Sequence, residues 1–129
     1  MTSAIYAVLA TFLLFWLTLQ VIKQRRSHKI ALGDGDIPEL KGAIGAHENA
    51  VECIPIFLIL LFVLEYNDGN LLLVHALGIV FIVGRFIHAH GLLNANLKHR
   101  VLGMHLTLWP LVTLAVCNLL YLPYGKLFG

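Results

Sequence analysis

Charge is what this chain has least of. Only 12% of its 129 residues are Asp, Glu, Lys or Arg, against about 25% in ordinary soluble domains. A surface so poor in charge excludes the soluble classes, and a hydrophobic content of 59% with a mean hydropathy of +0.83 points to an integral membrane protein. Cysteine is scarce too. Cys53 and Cys117 both fall inside apolar runs, at depths about two helical turns apart, which excludes a disulfide framework and favours packing as small hydrophobes. No Lys or Arg precedes the first apolar run, and no small-x-small cleavage site precedes the basic cluster after it. That run therefore reads as an anchor with its N-terminus outside, not as a signal peptide. The net charge of +2 gives no reason to invoke nucleic acid.

What the chain has in abundance is membrane-spanning sequence. Four stretches, about 4–22, 38–66, 71–92 and 101–122, meet the roughly 20 residues that a transmembrane helix needs. The expected fold is an all-α, four-transmembrane-helix up-down bundle, a single domain over residues 1–129. Span two begins at Pro38, a favoured first-turn residue, after the turn run Gly33-Asp34-Gly35-Asp36. A helix from there to Tyr66 is about 42 Å long, which exceeds the hydrocarbon core, so its first two turns stand in the cytoplasm. Asn67-Asp68-Gly69-Asn70 is a turn by composition, and Pro123 closes span four.

Five Lys/Arg lie between Lys23 and Lys41, and Lys98 and Arg100 lie in the third connection, whereas the second has Glu65 and Asp68 with no base. Positive-inside bias places both basic connections in the cytoplasm and both termini outside. Against the apolar background, Glu48, Asn49, Glu52, Arg85, His88 and Arg100 sit within or at the edges of the spans. Ionised groups at such depth cost about 2.5–3.5 kcal/mol and mark candidate sites. When spans two and three fold as a hairpin, residues whose numbers sum to about 137 lie level, which sets Glu52 opposite Arg85 and Asn49 opposite His88. Lys41, Gly45, Glu48, Asn49 and Glu52 share a helical arc of about 100°.

Two readings of these groups stay open: an interhelical tie between Glu52 and Arg85, or a cytoplasm-facing pocket roofed by apolar helix. In such a pocket Glu48 and Glu52 would take an ammonium, and Lys41, Arg85 and Arg100 would take carboxylates or a thiolate. His88 and His90 are two residues apart and point to different faces, so no metal site is expected. His47 projects off the polar stripe, and His75 sits near the outer headgroups.

The chain resembles a known family through four features in order: Gly33-Asp34-Gly35; Ala46-His47-x-Asn49-x-x-Glu52-x-x-Pro55; Gly84-Arg85-x-x-His88; and Arg100 ten residues before Pro110. This pattern is similar to that of the membrane-associated proteins in eicosanoid and glutathione metabolism, most of all their bacterial inner-membrane branch. The resemblance implies a homotrimer that binds glutathione between subunits near the cytoplasmic surface and acts on lipophilic small molecules by transfer, peroxide reduction or isomerisation. Carried over by position, Arg100 and Arg85 are the expected catalytic residues and Asn49, Glu52 and His88 the expected glutathione contacts, to which the reading of the pocket's charges adds Glu48 and Lys41. Gly45 departs from the pattern by standing where many members carry a carboxylate-binding arginine, and Leu92 where many have a tyrosine. Two further functions are weighed beside a glutathione-dependent enzyme. One is a non-catalytic scaffold that has lost the ligand. The other is a small transporter or proton relay, which the lack of a continuous polar path disfavours.

Overall fold

In the computed structural model, which describes residues 1–129, the four long helices are α1 (Ser3–His28), α2 (Pro38–Tyr66), α3 (Leu71–Leu93) and α4 (Leu97–Tyr121). Each is long and apolar enough to cross a membrane. A short exposed helix, α5 (Tyr124–Phe128), follows Pro123 and was not expected from the sequence. The helices also outrun two of the apolar stretches. α1 continues past Ile22 through Lys23, Arg25 and Arg26, and α4 starts at Leu97, before Arg100. Hydropathy marks where a helix meets lipid, whereas backbone hydrogen bonding carries the helix on into water.

Local chemistry sets the ends. Ile37 is extended and Pro38 opens α2, with Glu39 in the first turn where the helix dipole favours an acid. Asn70 and Asn96 cap α3 and α4, their side chains accepting from the N–H groups of Leu72 and His99 at 2.8 and 3.2 Å. The first connection is pinned by Arg25, which donates to the Gly33 carbonyl at 2.8 Å. Pro55 and Pro110 lie inside continuous helices.

α2 and α3 form the centre, each touching the other three helices, while α1 and α4 do not meet. The interior seam of α2 is Leu40, Ala43, Ala46, Ala50, Ile54, Phe57, Leu61 and Leu64, a three-to-four-residue spacing that keeps one face inward. Small residues lead this seam, so neighbouring backbones approach closely. Phe57 stacks on Phe81 of α3 with ring centroids 3.7 Å apart and planes within 3°. Their numbers sum to 138, one away from the hairpin register inferred from the turn. Between α3 and α4 the approach is closer still. A Cβ on Gly103 would fall on the backbone of His88, and one on Gly91 on the backbone of Arg100.

Outside the seam, large apolar side chains such as Phe12, Phe15, Ile59, Leu72 and Leu120 are exposed. A bundle with its apolar residues on both inner and outer faces is a membrane bundle, because lipid solvates the outside.

Candidate functional site

Arg85 is the largest fully buried side chain of the subunit, 1% exposed. One guanidinium nitrogen, Nη1, donates to Thr107 Oγ1 of α4 at 3.2 Å, and Nη2 lies 3.4 Å from His88 Nδ1 one turn along α3. The Thr107 hydroxyl spends its own proton on the Gly103 carbonyl at 2.8 Å, so its lone pairs face the arginine. Arg85 Nε has no partner. His88 is also buried, 2% exposed, and it meets Arg85 as an acceptor only with its proton on Nε2. The guanidinium is thus held by neutral groups alone. A buried charge without an opposite charge is a costly arrangement, and it marks the place where an anion is wanted.

Glu52 does not supply that anion within the subunit. The ion pairs of the chain are Lys41 with Asp36 at 3.1 Å and the N-terminal ammonium with Glu65 at 3.9 Å. The expected Glu52–Arg85 tie is therefore corrected. Depth was inferred well, since Phe57 stacks on Phe81 within one residue of the inferred register. The azimuth was not. Glu52 sits two residues from both Ala50 and Ile54, about 160° around the helix from the buried seam, and its side chain is exposed. Glu48 is exposed on the same outward stripe, with Asn49 half-buried at its edge. Asn49 Oδ1 receives the Cys53 thiol at a long 4.0 Å, and both cysteines are free.

At the end of the basic connections, a cavity of about 540 Å³ opens between the first turns of α2 and the α3–α4 turn. Lys41, Gly42, Gly45, Leu92, Asn96 and Arg100 are among its walls. Its lining holds two cations and no acid, although Lys41 pairs with Asp36 just outside the lining, so Arg100 is the cation without an ion-pair partner there. The two positions that depart from the family pattern, Gly45 and Leu92, face each other across it. A Cβ on Gly45 would touch only Leu92 Cδ1, at 3.9 Å, so there is room for a longer side chain.

The residues expected to form one pocket thus divide into three groups. Lys41 and Arg100 share the cavity, Arg85 and His88 lie buried together, and Glu48 and Glu52 face outward with Asn49 beside them. Thr107 was missed in the sequence, although its four-residue spacing from Gly103 on one helix face was a usable signal. Glu65 was read only as a loop charge. Its carboxylate accepts from the N–H groups of Thr2 and Ser3 at 2.7 and 2.6 Å, closing the start of α1 onto the end of α2.

Residues 3–120 match the MAPEG family. Inner membrane protein YecN of Escherichia coli K12 is 38% identical over 129 residues, which is all of this chain and 98% of that protein. Its counterpart in Escherichia coli O6:H1 matches to the same extent. The chain belongs to the MAPEG family. It is accordingly a multi-pass, four-helix membrane protein.

Proposed function

We propose that this chain is a glutathione-dependent membrane transferase or peroxidase that acts on lipophilic electrophiles, working as a homotrimer in a bacterial inner membrane with both termini periplasmic. The observation that carries the reading is the cavity that joins Lys41 to Arg100, with no acid in its lining. Glutathione has two carboxylates, one ammonium and a thiol. The cavity offers cations for the carboxylates, and its acids are lacking within one subunit. Glu48 and Glu52 project outward at a depth where an ionised side chain must find a protein or water partner. In a closed ring of identical copies the outward stripe of one subunit would face its neighbour, which would bring acids to the cavity mouth.

Bound glutathione supplies the nucleophilic sulfur. Arg100, exposed at the start of α4, stabilises a thiolate beside it by its fixed positive charge and raises the nucleophilic fraction. Lys41, once it releases Asp36, holds a carboxylate as a point charge, a weaker grip than the bidentate fork of an arginine. Arg85, buried with Thr107 and His88 apart from the cavity lining, contributes its positive charge through the protein and makes no direct contact with the ligand, and the apolar helices exclude water from the reacting sulfur. Gly45 favours a second reading, a scaffold without the ligand, because one arginine–carboxylate contact is missing.

Calorimetric titration of glutathione into the detergent-solubilised protein, with Arg100→Ala beside it, separates the two. Saturable heat weakened in the variant supports the enzyme reading. Absence of heat at millimolar glutathione supports the scaffold. Chemical cross-linking that saturates at a dimer would contradict the trimer.

A further inference from the structure

A second cavity, about 340 Å³, lies on the other face of the α3–α4 hairpin tip, walled by Trp16 of α1, Phe86, Ile87 and His90 of α3, and His99 of α4. It shares no residue with the cavity of Lys41 and Arg100. We propose that this groove binds the ring of an uncharged, lipophilic carbonyl compound of the quinone class, drawn from the bilayer.

Four observations support that ligand. First, Trp16 and Phe86 stack with centroids 5.9 Å apart and 28° between their planes. They form aromatic walls of the kind that take a flat ring in offset or edge-on contact. Second, the two histidines meet edge to face, with centroids 5.0 Å apart, and neither ring makes a hydrogen bond within the chain. His99 Nδ1 is buried without a partner. An unpartnered buried N–H is rarer than an unpartnered acceptor, which favours the tautomer with the proton on Nε2. His99 Nε2 is not among the buried polar atoms, so that N–H is a free donor for a carbonyl oxygen. Third, no Asp, Glu, Lys or Arg lines the groove. A phosphate or carboxylate finds no counter-charge there, and an acyl chain would leave the imidazole N–H unanswered. Fourth, Phe86 and His90 are exposed on the outer surface of the bundle, so entry is from the side. The volume is within the range of small-molecule sites, about 300–1,000 Å³.

Quinones quench tryptophan, which makes Trp16 the reporter. In a Trp109→Phe background Trp16 is the remaining tryptophan, and decylubiquinone is titrated into the protein in lipid nanodiscs without glutathione. The expected result is saturable quenching, with half-saturation shifted about five- to tenfold by His99→Phe, the loss of one hydrogen bond. Trp16→Phe, which leaves only Trp109, is expected to show a linear, unsaturated decline. Should His99→Phe fail to fold, Phe86→Leu, which removes an exposed aromatic wall, is expected to raise half-saturation in the same direction. Linear quenching of Trp16, or half-saturation unchanged in the folded variant, would overturn the proposal. Because no glutathione is present, either outcome is independent of the transferase reading.

Discussion

Where α1 begins, Glu65 receives the N–H groups of Thr2 and Ser3, and the Tyr6 hydroxyl lies 2.6 Å from His75 Nδ1. At the opposite end, Arg85 is buried among neutral groups, Arg100 and Glu52 are exposed, and His99 Nδ1 has no partner. Both ends carry titratable side chains inside an apolar bundle, yet one set is satisfied within the subunit and the other is not. The satisfied end is a clamp. The unsatisfied end leaves charge and hydrogen-bonding capacity unanswered within the chain, which is the condition that the proposed ligand would meet. Polar residues in a membrane helix therefore mean different things according to whether their partners are already present.

Removing the clamp should have the largest effect. Glu65→Ala deletes two charge-assisted hydrogen bonds, each worth about 1.5–3 kcal/mol, so a loss of roughly 3 kcal/mol is expected in reversible detergent unfolding. Glutathione affinity of the folded variant should stay at the wild-type value, and a matching loss of affinity would erase the distinction between the ends. Next is Gly45→Arg, which places a guanidinium in the open space facing Leu92. Gaining one bidentate carboxylate contact is worth about 2–3 kcal/mol, so calorimetry should show affinity raised roughly 30- to 150-fold. No gain would mean that the cavity is not the peptide's seat.

Arg85→Met should move stability and function in opposite directions. Replacing an ill-paired buried charge with an apolar side chain of similar length is expected to stabilise the subunit by about 1–2 kcal/mol, while glutathione binding weakens. A destabilised Arg85→Met would show that the guanidinium is already paired in the assembly, for example by a neighbour's Glu52. The smallest effect belongs to Tyr6→Phe at the clamp, a loss of about 1 kcal/mol in melting experiments with no change in binding.

The depth of the polar groups was legible in the chain and their facing was not. A turn at Asp68, whose φ is +59°, fixes the level of every residue on the two helices it joins, and the Phe57–Phe81 stack lies where that arithmetic puts it. Which side of α2 turns inward depends instead on packing. The Ala43-Ala46-Ala50 seam lets helices approach, so it takes the interior and leaves Glu48 and Glu52 outside. The reasoning that buried charge must face the bundle omits the outward face, where Glu48 and Glu52 stand. Arg85 shows the same gap. Its position on α3 was foreseen and His88, one turn along, shares its face, but its partner Thr107 follows from the close α3–α4 crossing at Gly103, which no periodicity of α3 alone reveals. The clamp at Glu65 was equally hidden, since it joins residues at opposite ends of the first two helices.

The division between the ends is tested most directly by thermal melting of the wild type, Glu65→Ala and Arg100→Ala, each with and without millimolar glutathione. The expected result is that Glu65→Ala melts lower but keeps the full glutathione-induced rise, while Arg100→Ala melts as the wild type does and loses that rise. Variants that lose stability and ligand response together, or a wild type that glutathione does not stabilise, would contradict it.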